Sequence, residues 1–75
     1  MENAERELIK QAIHSNLQLR RLYEDHLAME DRLSALERRG FLKVQEELEA
    51  KRLKRRKLHG KDKMMALLAE NRPAA

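Results

Sequence analysis

The chain has 75 residues, of which 40% are charged and only 3% are aromatic, and its formal net charge is +4. A monomer of this length buries barely enough apolar surface to offset the entropy cost of ordering its chain. Two glycines and one proline leave few turn-forming residues, so the composition argues against a sheet protein. We predict a single domain over residues 1–75, built from long helices.

The chain contains no cysteine, which excludes disulfides, thiolate metal sites and cysteine nucleophiles. Its first residues are acidic, and no apolar run approaches the length that spans a membrane, so we expect a cytoplasmic protein without a signal peptide. Residues 1–37 carry a net charge of −3 and residues 38–75 a net charge of +7. The two halves are therefore expected to attract each other, and the second half to present a basic surface.

The first helix is predicted over about residues 3–38, because neither proline nor glycine interrupts residues 4–39. Side chains recur there at steps of three and four, the spacing of a helix that buries one narrow stripe against another helix. This stripe consists of Leu19, Leu22, His26, Met29, Leu33 and Leu36. His26 occupies a position where leucine would be expected.

Residues 39–41 are predicted to form a turn, with Gly40 in the left-handed conformation and Phe41 closing that end of the molecule. The second helix is predicted over about residues 42–70, followed by a disordered tail at residues 72–75. Gly60 costs about 1 kcal/mol relative to alanine inside a helix, which indicates a bend or fraying there. Steps of four and three from Val44 predict one stripe of this helix, in which three of seven residues are charged: Val44, Leu48, Lys51, Arg55, Leu58, Asp62 and Met65. A second, apolar set lies on an adjacent face and consists of Leu53, Met64, Leu67 and Leu68.

A connection this short makes consecutive helices antiparallel neighbours. The predicted fold is therefore all-α, an antiparallel two-helix hairpin of coiled-coil type. Its stabilising residues are predicted to be Leu19, Leu22, Met29, Leu33, Leu36, Val44, Leu48 and Leu58. Such a hairpin leaves apolar side chains such as Ile9 and Leu27 partly exposed, so we expect hairpins to pack as a homodimer or a higher homo-oligomeric bundle.

Two motifs carry a resemblance to a known family. They are Tyr23-x-x-His26-x-x-Met29-x-x-x-Leu33 in the first helix and Leu53-Lys54-x-x-Lys57-Leu58-x-x-Lys61-Asp62-x-Met64 in the second. Over about residues 8–69 the chain resembles the YdcH-like family of small bacterial helical-hairpin proteins, a domain of unknown function. The resemblance implies a helical hairpin in the bacterial cytoplasm and implies no established biochemical activity. Gly60 departs from the family pattern, where a helix-forming residue is usual.

His26 has three interpretations: a structural polar residue that fixes helix register, a pH-sensitive switch, or a metal or catalytic residue. Counting outward from the turn places Lys54 and Arg55 opposite His26, and cationic neighbours disfavour a charged imidazole. No two histidines have the spacing of a helical metal site. The sequence favours the structural role.

Asp62 is the acidic exception in a basic region, and the hairpin register places it near Arg20 and Arg21. We therefore predict that Asp62 forms a structural ion pair with one of these arginines. A catalytic carboxylate would need a cleft and a second reactive group, which two slender helices do not provide. The sequence predicts no catalytic residue, metal ligand or cofactor, and hence no enzyme.

Seven cationic residues of the second helix form what we call the basic collar: Lys51, Arg52, Lys54, Arg55, Arg56, Lys57 and Lys61. One interpretation is a solvated face neutralised by Glu24, Asp25, Glu30 and Asp31 of the first helix. A second is the binding of nucleic-acid phosphates without sequence specificity, and a third is an acidic protein partner or an anionic lipid.

We predict a structural or adaptor protein that binds itself and a protein partner through charged helix faces. The alternative is a small basic protein that associates with nucleic acids. A helix lying on a membrane surface ranks last, because the chain has no tryptophan and its single phenylalanine lies at the turn.

Overall fold

The computed structural model describes residues 3–70, which form three helices: α1 (Asn3–Ala12), α2 (Leu17–Glu37) and α3 (Val44–Glu70). These residues contain no strand, and the prediction of an all-helical chain is confirmed. None of the three helices is long and apolar enough to cross a membrane. The tail predicted at residues 72–75 lies outside the described residues.

The prediction of a single helix over residues 3–38 is wrong, because residues 13–16 separate α1 from α2. Asn16 has an extended backbone, with φ −138° and ψ 102°, and its side-chain oxygen accepts a hydrogen bond of 3.0 Å from the Leu19 amide. This is the N-cap of α2, an interaction worth about 1 kcal/mol relative to alanine. Ser15 precedes it and donates its amide to the Ala12 carbonyl at 3.1 Å. The pair of short polar residues therefore ends one helix and starts the next without proline or glycine.

The interruption allows α1 to fold back onto the other two helices. Ile9 is fully buried in a cluster with Leu19, Tyr23 and Met64, although the sequence predicted it to be partly exposed. Two ion pairs border this cluster: Arg6 lies 3.5 Å from Glu30 of α2, and Glu5 lies 3.7 Å from Lys61 of α3. Helix α1 thus covers apolar surface that an arrangement of α2 and α3 alone would leave open.

Helices α2 and α3 run antiparallel, as two ion pairs on their exposed sides show. Arg39 pairs with Glu46 beside the connection, and Arg32 donates two hydrogen bonds, of 2.6 and 2.8 Å, to Glu49 further along. The hydrogen bonds from Arg32 also hold the pKa of Glu49 below its ordinary value. Because such exposed pairs contribute little to stability and weaken with salt, they fix helix register more than they stabilise the fold.

The stripe of α2 that faces α3 matches the prediction. Leu19, His26, Leu33 and Leu36 are buried, and Leu22 and Met29 are half-buried beside them. Tyr23 is also buried, because it packs under α1. The three-and-four spacing therefore identified the core of this helix correctly.

The prediction that the stripe of α3 starting at Val44 packs against α2 is wrong. Val44 is 73% exposed and Leu58 is 61% exposed, Leu48 is exposed as well, and Phe41 does not close the end of the molecule, being 83% exposed. The second apolar set faces inward instead, with Met64 fully buried and Leu53, Leu67 and Leu68 half-buried.

The reason that this face of α3, and not the face starting at Val44, turns inward is electrostatic. The stripe that starts at Val44 also contains Lys51, Arg55 and Asp62, and burying those charges would remove their hydration. The stripe that faces inward contains two charged residues between Leu53 and Met64, the half-buried Lys57 and Lys61, one fewer than the outward stripe.

Neither glycine has a positive φ angle, so the left-handed conformation predicted for Gly40 is wrong. The first residue after α2, Arg38, keeps a right-handed helical backbone with φ −73° and ψ −15°. Helix α3 continues through Gly60 to Glu70, so the helix does not fray at that glycine.

Candidate functional site

A polar cluster lies at the contact between α1 and α2, centred on the buried His26, which is only 3% exposed. Its Nε2 atom lies 2.6 Å from Glu30 Oε1, and Arg6 contacts the other Glu30 oxygen at 3.5 Å. The close approach of imidazole and carboxylate is not aligned as a hydrogen bond, and within residues 3–70 neither ring nitrogen has another partner. The pair of Arg6 with Glu30 therefore joins α1 to α2, and the adjacent His26 has an imidazole whose hydrogen-bonding capacity is largely unused among the described residues.

Burial lowers the pKa of His26 below its ordinary value of 6.5, and the nearby Lys57 lowers it further, while Glu30 opposes both effects. The net effect favours the neutral imidazole. A cationic neighbour was predicted for His26, and it is Lys57, next to the expected Lys54 and Arg55 region. The structural role of His26 stays a prediction.

Because the unfolded chain binds a proton at His26 more tightly than the folded chain does, the free energy of unfolding should rise with pH. We expect the full contribution above about pH 6.5 and a progressive loss as the pH falls through and below that value. Urea unfolding at several pH values between about 7.5 and 5 measures this. His26→Gln should flatten this dependence. Equal pH dependence in wild type and His26→Gln would contradict the assignment.

The basic collar is divided by the fold. Lys51, Arg52, Lys54, Arg55 and Arg56 are exposed, whereas Lys57 and Lys61 are half-buried on the inner side. Lys61 is occupied, since it lies 3.7 Å from Glu5. Within residues 3–70, none of the five exposed cations lies within 4 Å of a carboxylate oxygen.

The carboxylates that were predicted to neutralise the collar have other environments. Glu24 pairs with Arg20 of its own helix at 3.0 Å, and Glu30 contacts His26 and Arg6. Asp25 and Asp31 form no ion pair among the described residues. The exposed part of the collar is therefore available to an anion from outside the chain.

The ion pair predicted for Asp62 is also wrong. Asp62 is exposed, and no ion pair of residues 3–70 joins it to Arg20 or Arg21. It belongs to the outward stripe of α3, together with Val44 and Leu58. No three histidine, aspartate or glutamate residues among those described are grouped closely enough to hold a metal ion.

A groove of about 360 Å³ lies between α2 and α3 and was missed by the sequence analysis. Its lining consists of Leu22, Asp25 and Met29 from α2 and Arg55, Arg56, His59, Gly60 and Lys63 from α3. The half-buried Leu22 and Met29 supply an apolar floor, and cationic side chains border it. The groove therefore combines apolar surface with part of the basic collar.

A family model described as a protein of unknown function, DUF465, matches residues 19–68, two thirds of the chain. The chain belongs to this family. The resemblance to YdcH-like proteins agrees with the match. Neither the curated proteins nor the solved structures include a match to this chain.

The DUF465 match divides the molecule. It contains His26, the basic collar, the groove and nearly all of α2 and α3, whereas α1 lies outside it. The candidate functional features thus lie within the part of the chain that defines the family. Ile9 and the other α1 residues that cover the core lie outside that part.

Proposed function

We propose that this DUF465 protein is a non-enzymatic adaptor whose basic collar binds an acidic segment of a partner protein. The observation that carries the proposal is the set of five exposed collar cations without a carboxylate partner among the described residues. The antiparallel pair of α2 and α3 is the proposed hairpin framework that presents them. A fixed helix that displays several like charges attracts and orients an oppositely charged partner.

The proposal includes self-association. Phe41, Val44 and Leu48 form an exposed apolar patch beside the connection between α2 and α3. Lys43 and Glu47 border this patch with opposite charges, so a two-fold related copy could pair each with its complement. Sedimentation equilibrium over a range of concentrations measures it, and a monomer at all concentrations would remove this part of the proposal. The bacterial cytoplasm, which the family resemblance implies, is the proposed setting.

The experiment uses a fluorescein-labelled amphipathic peptide with leucine on one helical face and glutamate elsewhere, and an otherwise identical peptide with lysine in place of glutamate. Fluorescence anisotropy should detect binding of the glutamate peptide only. Arg52→Glu/Arg56→Glu should weaken that binding at least about tenfold, equivalent to about 1.4 kcal/mol.

The matched control is Arg21→Glu/Arg38→Glu, which makes the same change in net charge at exposed positions outside the collar. This variant should bind the glutamate peptide nearly as wild type does. Equal weakening in both variants would show an effect of net charge alone, and the absence of binding to the glutamate peptide would reject the adaptor proposal.

Binding to nucleic-acid phosphates is a second candidate, because the same unpaired cations suit a phosphate backbone. Five neutralised phosphates would give a slope of about −4.5 for the logarithm of the binding constant against the logarithm of salt concentration on duplex DNA. Titration of labelled random-sequence RNA and DNA at several salt concentrations measures this slope. Steep binding that Arg52→Glu/Arg56→Glu abolishes would favour this candidate, and no binding at low salt would reject it.

A further inference from the structure

The groove between α2 and α3 lies on a different side of the helix pair from α1. Tyr23 and Glu30 are the α2 residues that meet α1, whereas Leu22 and Met29 line the groove. Leu22 and Met29 each come one position before the α2 residue that meets α1. One position corresponds to a rotation of about 100° around the helix. No α1 residue lines the groove. One side of the pair is therefore filled by α1, and within residues 3–70 the other side is open.

Gly60 lies in the groove and has no explanation within the fold. Its φ angle is not positive, and a Cβ atom built on it would meet nothing within 4 Å. Alanine at this position would favour the helix by about 1 kcal/mol. A glycine that the chain's own backbone and packing do not require is typical of a place where another backbone approaches closely.

The charges that border the groove define what fits there. Arg55, Arg56 and Lys63 are exposed and form no ion pair within residues 3–70, and Asp25 is the single acidic residue of the lining. The floor is apolar. An occupant must therefore offer apolar side chains on one face and carboxylates along the edges.

We propose that an acidic amphipathic helix of a partner protein docks in this groove and crosses α3 at Gly60. Its apolar side chains pack on Leu22 and Met29, and its carboxylates pair with Arg55, Arg56 and Lys63. This is the helix-in-groove mode of recognition. The proposal rests on the adaptor function, which supplies the acidic partner, and adds the location and the form of the bound segment.

The test fills the groove without changing its charge. Gly60→Trp places an indole in the open space, whereas Gly60→Ala, the matched control, adds only a Cβ atom that nothing in the chain opposes. Gly60→Trp should bind the glutamate peptide at least tenfold more weakly than wild type, and Gly60→Ala should stay within about threefold. Circular dichroism of both variants checks that the helices are retained.

A second variant keeps the test decisive if Gly60→Trp does not fold. Lys63→Glu changes a groove residue that is not part of the collar, and Arg21→Glu makes the same change in charge at an exposed position outside the groove. Lys63→Glu should weaken peptide binding at least fivefold, and Arg21→Glu should change it little.

The results separate the two proposals. If Arg52→Glu/Arg56→Glu weakens binding while Gly60→Trp and Lys63→Glu bind as wild type does, the collar binds the peptide elsewhere and the groove proposal is wrong. If the wild-type chain does not bind the glutamate peptide, the adaptor function and the groove proposal both fail. Self-association that Gly60→Trp abolishes, without peptide binding, would assign the groove to a second copy of the chain and also overturn the proposal.

Discussion

Leu19→Ala should lower the free energy of unfolding by about 2–5 kcal/mol, because it opens a cavity among fully buried side chains. Leu19 has no exposed surface and packs with Ile9, Tyr23 and Met64, so it joins all three helices. A chain of this length has a total stability of roughly 4–11 kcal/mol at about 0.05–0.15 kcal/mol per residue. The single substitution should therefore remove a large part of the stability.

The matched control for this prediction is Leu17→Ala, two residues earlier in the same helix, where the leucine is 61% exposed. The free energy of unfolding of this variant should differ from wild type by no more than about 0.5 kcal/mol. Urea unfolding followed by far-ultraviolet circular dichroism measures both values. A comparable loss in the two variants would contradict the described packing of α2.

Ile9→Asp should release α1 from the rest of the molecule. The substitution would bury a carboxylate without a partner, a cost that exceeds what two peripheral ion pairs of α1 contribute. Once released, α1 should unfold, because an isolated helix of ten residues is marginal in water. The free energy of unfolding should fall by several kcal/mol, roughly the range found for the loss of a buried side chain.

Hydrogen exchange measured by nuclear magnetic resonance locates the effect. Amides of α1 should lose their protection in Ile9→Asp, while those of α2 and α3 keep theirs. Leu8→Asp is the control. Leu8 is next to Ile9 in the sequence, but its side chain is exposed, so this variant should keep the amides of α1 protected. Retained protection of α1 in Ile9→Asp would show that Ile9 does not hold this helix.

The sequence was sufficient to predict the helical class and the core of α2. Leu19, Leu33 and Leu36 recur at a spacing that only one helical face can satisfy, and burial follows directly from that spacing. The same pattern predicted that His26 faces its helical neighbour. These features depend on short-range periodicity, which a single sequence contains.

The sequence was not sufficient to predict the end of α1 or the inward face of α3. Each of them depends on which of two possible packing arrangements has the lower free energy. Asn16 favours a cap, but a continuous helix was equally compatible with residues 3–38 until the packing of Ile9 against Met64 favoured a fold-back. On α3, two stripes share the same period, and the choice follows from the cost of burying Lys51 and Arg55. Counting charges on each stripe would have identified the correct one.

The candidate site could be predicted only in part. The basic collar is evident from composition, but its freedom from ion pairs depends on which cations the α2 carboxylates contact, and Arg6 and Arg20 were not foreseen in that role. The groove depends on which side of the pair α1 covers. Gly60 was its one sequence signal, and we interpreted that glycine as a weakness of the helix.

The junction at residues 13–16 also has a consequence for the order of folding. Helices α2 and α3 are joined by the short segment 38–43, so their contacts close a small loop and are expected to form early. Helix α1 docks on a surface that already exists, and it can leave without global unfolding. Each departure would uncover Leu19, Tyr23 and Met64, and a chaperone or protease would then meet apolar surface on a molecule that is otherwise native.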